Sequence, residues 1–443
     1  MKRKRRTHLR GQRGQAFADR IRGIVPEQIL CVSIDIHKDF HVVLLHNGLG
    51  EIVTPSFEMD IFRSGFKQLL QSIDEAITTT KVQVVLVGME PTGHYYENLA
   101  RHIKATGQKV TIINSYAVKE NRCQQMMAHE KTDDIDAAAI GDLLHRGEGS
   151  PFRPPTGVYL QLQQLERARI GEVKVQTMYK NRIIGHLDRI FPGLILTRAA
   201  AKDRYEPLFA TNFWQCQTLR DLVRICPDPR ELATMSPSAL RATFHEHHCR
   251  MGPITAQRII AYAGKVLLPD PEVVAVRRQI LATDLRTLDQ VSARIAVYSE
   301  QLQPLLTQTP YQFLTKVKGL TPARVASLAA AIGDPSNYTH AGQVFRRSGL
   351  VSRRDDSGAR QRQGKGKSVT KAGDVYLRRA LNDMLNGLIL HQPILRAYYH
   401  RLRQTKPVGV VRIATIRRSN GILWATVRDQ RADTLVLRGD NMT

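Results

Sequence analysis

With 443 residues, 42% of them hydrophobic and 24% charged, the chain has globular composition and is long enough for roughly two to four domains. Its 65 Lys and Arg against 40 Asp and Glu leave a net charge of +25, which favours a polyanionic partner over an acidic small molecule. We expect no membrane partner, because no apolar run approaches about 18 residues. We also expect a cytoplasmic protein, because the N-terminus lacks the apolar segment of a signal peptide.

The first 26 residues are predicted to form a basic, disordered arm. Residues 1–22 contain nine Lys or Arg and one acid, and a run of like charges repels itself instead of packing. Such an arm could contact nucleic acid or keep the protein in solution, and the sequence favours neither role.

Residues 27–150 have the pattern of a small α/β domain. Short β-branched runs predict three strands, in ILCVSIDIHK, DFHVVLLHNG and EIVTPSFEM, and VQVVLVGME and KVTIIN predict two more. Helical spacing is found at 61–80, at 95–106 and from Asp133 onward. The resulting order, β-β-β-α-β-α-β-α, is that of nucleases of the ribonuclease H and Holliday-resolvase type.

Four acidic residues stand at special positions in these predicted elements. Asp35 interrupts the first apolar strand and Glu90 ends the fourth, while Asp133 and Asp136 lie three residues apart on one helix face. A carboxylate within an apolar strand is costly to bury without a partner. Clustered carboxylates repel one another, so either their pKa values rise or a hard divalent cation such as Mg²⁺ occupies the site. The late pair has a second interpretation, since Asp near a helix start also caps the helix and complements its dipole.

Residues 151–310 are predicted to be a helical region. The stretch 158–190 has little turn signal, and a second long helix over 270–306 carries Leu or Ile at heptad spacing. Ser292 and Ser299 interrupt the apolar seam, so a coiled coil between subunits and a local antiparallel helix pair are both open.

Residues 311–443 are predicted to be a mainly helical C-terminal domain. KVKGLTPARVASLAAAIGD has the pattern of a helix-hairpin-helix, although an ordinary helical hairpin shares it. Residues 346–379 contain eleven Lys or Arg and three acids, and the Gly-rich stretch SGARQRQGKGKS is suited to lie along phosphates. The predicted nucleic-acid contacts are Arg353, Arg354, Arg360, Arg362, Lys365, Lys367 and Lys371.

Motifs in a fixed order give a more specific indication. They are the first-strand Asp, MEPTGHY, EKTDDIDA, KNRIIGHLDRIFPG, KGLTPARVASLAAAIGDP, SGLVSRRDDSGARQRQGKGKSVTKAG and YLRRAL. In this order the chain resembles the DEDD-type insertion-sequence transposases, which are serine-using recombinases guided by a bridge RNA and related to the Piv DNA invertases. The resemblance extends discontinuously from Cys31 to Val427.

The resemblance implies two half-sites in different domains. It places Asp35, Glu90, Asp133 and Asp136 on the four metal-binding acids of a resolvase-like domain, and Ser357 on the catalytic serine of the C-terminal domain. It also implies two Mg²⁺ ions, for which Mn²⁺ could substitute, and double-stranded donor and target DNA. We further expect a noncoding guide RNA, a homo-oligomer (dimer or tetramer) and association with the nucleoid.

Other functions fit parts of the same sequence. A metal-dependent, structure-selective DNA nuclease of Holliday-resolvase type needs the four acids and not Ser357, and a non-enzymatic nucleic-acid-binding protein needs only the basic segments. Taken alone, Ser357 is most simply a turn residue before Gly, since an unaided hydroxyl is a poor nucleophile. The chain also departs from the family pattern at Ser115, where Pro is expected, and at Asp355 and Asp356 beside Ser357.

Overall fold

The structure, a computed structural model, describes residues 11–124, 132–197, 206–209, 212–351, 369 and 373–430. The chain divides into two compact units, Met1–Pro154 and Pro155–Thr443. The first is a mixed α/β unit built on one sheet, and the described part of the second is mainly helical. Ser357 and the seven predicted nucleic-acid contacts from Arg353 to Lys371 lie outside the described residues.

A six-stranded sheet forms the centre of the first unit, in the order β3-β2-β1-β4-β5-β6. Its strands are β1 Ile29–Ile36, β2 Phe40–Asn47, β3 Ile52–Asp60, β4 Val84–Met89, β5 Val110–Ile112 and β6 Ser150–Pro151. β1 pairs antiparallel with β2 and parallel with β4, so it lies inside the sheet and is buried along its whole length. All five predicted strands are present, and β6 is an addition.

Helices cover both faces of this sheet. They are α1 Gly11–Ile21, α2 Arg63–Thr80, α3 Tyr96–Ala105, α4 Ser115–Gln124 and α5 Asp133–His145. α2 and α3 pack on the face that carries Leu30, Val32 and Ile34. α5 packs on the opposite face, where Leu144 contacts Cys31. Since side chains alternate along a strand, Asp35 points to the same face as Cys31.

Glycines allow α5 to lie close to the strands. A Cβ at Gly141 of α5 would come within 2.4 Å of His46 Nε2 on β2, a distance that real side chains do not tolerate. A Cβ at Gly88 of β4 would come within 3.0 Å of Leu144 Cδ2. These two glycines therefore help to set the separation between α5 and the sheet.

The structure differs from the predicted disordered arm over residues 11–26, the part of the arm that it describes. Residues 11–21 form α1, whose Phe17 and Ile21 pack on apolar residues of the sheet. The Arg20 guanidinium donates to the Val85 carbonyl at 2.7 Å. The high density of positive charge concealed this short apolar stripe in the sequence.

The second unit contains two helices that are much longer than its others. The helices among its described residues are α6 Gly157–Ile190, α7 Gln217–Ile225, α8 Pro229–Thr234, α9 Pro237–Glu246, α10 Pro253–Ala263, α11 Pro271–Thr307, α12 Pro322–Ile332, α13 Ala341–Arg347, α14 Val375–His391, α15 Pro393–Arg403 and α16 Val408–Asp429. α6 and α11 pack side by side along their lengths.

The α6–α11 pair is antiparallel. Glu172 pairs with Arg294 at 2.9 Å, whereas Arg182, further along α6, pairs with Asp284, which is earlier in α11, at 3.1 Å. Ser292, which interrupts the predicted apolar seam, accepts a hydrogen bond from Gln176 at 3.0 Å. The structure thus contains the local antiparallel pair within one chain.

Each end of the α6–α11 pair belongs to a different apolar core. Leu162 of α6 and Leu302 of α11 pack with residues of α12 to α16. At the other end, Leu187 of α6 and Leu281 of α11 pack with residues of α7 to α10. None of the described helices is both long enough and apolar enough to cross a membrane.

The segment predicted as a helix-hairpin-helix starts at Lys316, the last residue of a 3₁₀ helix, Pro310–Lys316, where the pattern predicts an α-helix. Gly319 has φ of +96°, and a Cβ there would come within 2.4 Å of the Gly387 carbonyl oxygen on α14. Every residue of α12 from Val325 to Ile332 is buried. The turn and the Ala-rich helix therefore serve close packing in the core.

Candidate functional site

β1 and α5 together carry three of the four predicted acids. Asp35 lies on the face of β1 that α5 covers, and only 6% of its surface is exposed. Thr132 is the N-cap of α5, because its side chain accepts a hydrogen bond from the Ile135 backbone N–H at 3.3 Å. Capping therefore does not explain the presence of Asp133 and Asp136 in the first turn.

Glu90 directly follows β4 at the C-terminal edge of that strand. In the parallel register, Ile34 of β1 lies beside Met89 of β4, so the next residues along the two strands are Asp35 and Glu90. The Glu90 side chain is half-buried. The sheet register thus accounts for why these two acids, 55 positions apart in sequence, face one site.

His37 joins two of the acids. Its Nε2 lies 3.0 Å from Asp35 Oδ2 and 3.5 Å from Asp133 Oδ1, and its ring stacks on Phe40 at 4.8 Å. Potential ligand atoms of Asp35, His37 and Asp133 all lie within 4.8 Å of one another. His37 is absent from the predicted site residues, although a residue two positions after Asp35 is expected on the same face of an extended chain.

Arg122 provides the cation beside Asp136. Its Nη1 donates to Asp136 Oδ1 at 2.5 Å, and both side chains are largely buried. Arg122 belongs to α4, a helix that was not predicted, and α4 packs against α5. No signal in the sequence separated Arg122 from the many other basic residues.

The electrostatics of Asp35 show that the acids influence one another. Burial raises the pKa of the Asp35 carboxyl, the neighbouring His37 lowers it, and the charges of Asp136 and Glu90 raise it further. Of the four acids, His37 and Arg122, only Arg122 is a permanent cation. Negative charge therefore exceeds positive charge among these six side chains.

The donor atoms of this cluster fit a divalent cation. Carboxylate oxygens suit Mg²⁺ and Mn²⁺, and the surplus of negative charge supplies the attraction. His37 could add a nitrogen ligand. Arg122, which now holds Asp136, would compete with a cation for that carboxylate.

Comparison with known proteins assigns the family. Residues 32–192, which include all four acids and His37, match the DEDD transposases of the IS110 type, described as Transposase. Residues 311–400 match the family described as Transposase IS116/IS110/IS902. A probable family 20 transposase of Pseudomonas aeruginosa strain PAO1 is 26% identical over 350 residues, which are 77% of this chain and 83% of that protein.

The match of residues 32–192, within the α/β unit, indicates a DNA-processing enzyme of the DEDD class. The chain belongs to the IS110-type transposases, enzymes that cut and rejoin DNA. Family membership implies the use of a divalent metal, in agreement with the cluster of acids.

Proposed function

We propose that this chain is the transposase of an insertion sequence and that it cuts and rejoins donor and target DNA with Mg²⁺ and a serine nucleophile. Asp35, Glu90, Asp133 and Asp136 would hold the metal, and Ser357 would attack the DNA. The observation that carries the proposal is the buried Asp35 on an interior strand, with Glu90 beside it in register and Asp133 within reach through His37.

Two Mg²⁺ ions held by these acids would stabilise the negative charge that develops on the phosphate oxygens. The chain's own residues prepare the site. Burial of the whole of β1 fixes Asp35, and the Thr132 cap fixes the start of α5 and hence the position of Asp133. His37 and Arg122 hold the carboxylates by hydrogen bonds and reduce the repulsion between them.

The role of Ser357 rests on its place in the motif RRDDSGAR. In the proposed step, a bond forms between Ser357 Oγ and phosphorus as a phosphorus–oxygen bond of the DNA backbone breaks. The hydroxyl proton passes to the sugar oxygen that leaves. One phosphodiester is exchanged for another, so the strand can be rejoined without an added source of energy.

Sequence choice and assembly follow from the same family resemblance. We propose that a noncoding RNA from the element pairs with donor and target DNA, and that the protein acts as a dimer or tetramer. The high positive charge of the chain supports binding to both nucleic acids.

The test is strand exchange by the purified full-length protein with Mg²⁺, donor and target duplexes and RNA transcribed from the sequence that flanks the reading frame. Ser357→Ala is expected to abolish strand exchange, because the covalent intermediate cannot form. Ser352→Ala, in the same basic segment, is the matched control and is expected to retain exchange.

Each alternative result has a defined meaning. Full strand exchange by Ser357→Ala would reject the serine mechanism. Metal-dependent cutting of branched DNA without any rejoining, by wild type and Ser357→Ala alike, would identify a structure-selective nuclease. Equal exchange with and without the RNA would reject guidance by RNA while leaving the serine step in place.

A further inference from the structure

Residues 384–428 contain eight Lys or Arg and no Asp or Glu. α15 and all of α16 except its last residue, Asp429, lie in this stretch, and the two helices pack against each other. A long acid-free segment is unusual even in a basic chain, since acids make up 40 of the 443 residues. It therefore concentrates positive charge on one pair of helices, outside the basic segment singled out from the sequence.

Several of these basic side chains have structural roles. Arg396 donates to the Ile389 carbonyl at 3.0 Å, near the end of α14. Arg412 donates to Asn386 Oδ1 at 3.0 Å, and Arg428 pairs with Asp429 at 2.6 Å. These contacts account for part of the charge by internal packing.

Arg401 and Arg418 have a different arrangement, because both are directed at one aromatic ring. The guanidinium carbon of Arg418, on α16, lies 4.4 Å from the centre of the Tyr398 ring, and that of Arg401, on α15, lies 5.7 Å from it. Within the described part of the chain, neither arginine forms an ion pair with an acid. Arg401 is exposed, and Tyr398 and Arg418 are half-buried.

Cation–π attraction of about 0.5–1 kcal/mol each at exposed sites holds the two guanidiniums at the ring but does not neutralise their charge. An anion bound beside them would compensate that charge. Arginine and tyrosine are both common donors to phosphate oxygens in DNA complexes. The cluster of Tyr398, Arg401 and Arg418 is therefore suited to bind a phosphodiester.

We propose that this cluster is a contact site for the backbone of double-stranded DNA. The choice of DNA follows from the family, whose members cut and rejoin DNA. Arg401 and Arg418 would each neutralise a phosphate, and the Tyr398 hydroxyl would donate to a phosphate oxygen. Contacts of this kind position the duplex without reading its sequence. The inference concerns binding only, and it holds whether or not Ser357 is the nucleophile.

The experiment measures the affinity of full-length protein for a short mixed-sequence DNA duplex over a series of salt concentrations. Each lost phosphate contact lowers the magnitude of the negative slope of log K against log[salt] by about 1, so Arg401→Gln with Arg418→Gln is expected to lower this magnitude by about 2. Tyr398→Phe keeps the ring and is expected to keep the slope. Arg401→Lys with Arg418→Lys keeps the positive charge and is expected to keep most of the salt slope.

Arg224→Gln is the matched control for loss of charge. Arg224 is also exposed, but both Asp289 carboxylate oxygens accept hydrogen bonds from it, at 2.7 and 2.9 Å. The salt slope of DNA binding by Arg224→Gln is therefore expected to equal that of wild type. An unchanged slope in the Arg401 and Arg418 double variant would overturn the proposal. If the double variant with this unchanged DNA slope also bound a structured RNA hairpin more weakly, the surface would be assigned to RNA instead. Thermal unfolding of each variant shows whether the fold is retained. The salt slopes are then compared at equal concentrations of folded protein, and this comparison tests the proposal.

Discussion

Both units of the protein bury carboxylates beside cations, yet they differ in how many acids share each cation. In the second unit Glu166 is 2% exposed, and both of its oxygens accept hydrogen bonds from Arg169 at 2.7 Å. One of them also accepts from Ser327 of α12 at 2.5 Å. In the first unit, Asp35 and Asp133 share His37, Asp136 pairs with Arg122, and the charge of Glu90 acts on Asp35.

This difference separates a structural carboxylate from a functional one. Glu166 with its own arginine is electrically balanced, and its hydrogen bond to Ser327 joins α6 to α12. The cluster around Asp35 keeps a surplus of negative charge, which costs stability unless a cation from solution joins it. A surplus of acids over cations, more than burial itself, indicates the place where a metal can bind.

The largest expected effect of a substitution falls on the cluster with the surplus. Asp133→Asn removes one charged ligand and is expected to lower the rate of DNA cleavage at least about a hundredfold, since a bound metal contributes several kcal/mol to the stabilisation of transition-state charge. DNA binding should remain. Asp134→Asn, one position along the same turn and exposed, is the control and should cleave normally. Normal cleavage by Asp133→Asn would instead show that the Asp133 carboxylate is not needed to hold the metal.

Glu166→Gln should affect stability and not the chemistry. Removing one partner of a buried ion pair leaves Arg169 uncompensated, so we expect the free energy of unfolding to fall by about 3–5 kcal/mol in urea denaturation. Asp289→Asn breaks the exposed pair with Arg224 and should cost about 0–1 kcal/mol. Equal costs for the two variants would show that burial of Glu166 has no energetic consequence.

Gly141→Ala tests how closely α5 must approach the sheet. The added Cβ meets His46 Nε2, so α5 must shift. We expect the free energy of unfolding to fall by about 1–3 kcal/mol. DNA cleavage should also be slower, because α5 carries Asp133. Gly171→Ala in α6, where a Cβ meets nothing within 4 Å, should stabilise the protein by about 0.5–1 kcal/mol. A stable, fully active Gly141→Ala variant would show that the approach of α5 is not critical.

The smallest effect is the pH dependence that Asp35 contributes. Burial raises the pKa of the Asp35 carboxyl, so the unfolded chain, with an Asp pKa of about 3.9, loses this proton first as pH rises. Wild-type stability in metal-free buffer therefore falls, relative to Asp35→Asn, from about pH 3.9 upward through the raised pKa. Unfolding curves of the two proteins at several pH values measure this difference. A constant difference across this range would contradict the shift.

Much of the first unit could be predicted from sequence because its signals are local. Each apolar run between turns gave a strand, and Asp35 was conspicuous as a charge among Val and Ile. Glu90 and Asp133 could be placed by the ends of their predicted elements. The contact of α5 with β1, which unites these acids, is a tertiary feature, and the motifs of the family supplied it in advance.

The partners of the acids could not be predicted in the same way. His37 and Arg122 are ordinary residues in a chain with 15 His and 65 Lys and Arg, and only the packing of α4 on α5 selects Arg122. Similarly, the high positive charge of α1 obscured its helical pattern. The heptad pattern of α11 did not identify its partner, whereas the ion pairs with α6 show that the two helices are antiparallel. Side chains that balance charge depend on long-range contacts, which composition and spacing do not encode.

The α6–α11 pair, with a separate core at each end, has a consequence for distance. α6 has 34 residues, so at a rise of about 1.5 Å per residue it is about 50 Å long and acts as a spacer between the two cores. Deleting seven residues at matched levels of both helices would shorten this spacer by about 10 Å without removing either core. The length of the α6–α11 pair thus sets the distance between the two cores, and a change of whole helical turns would change that distance.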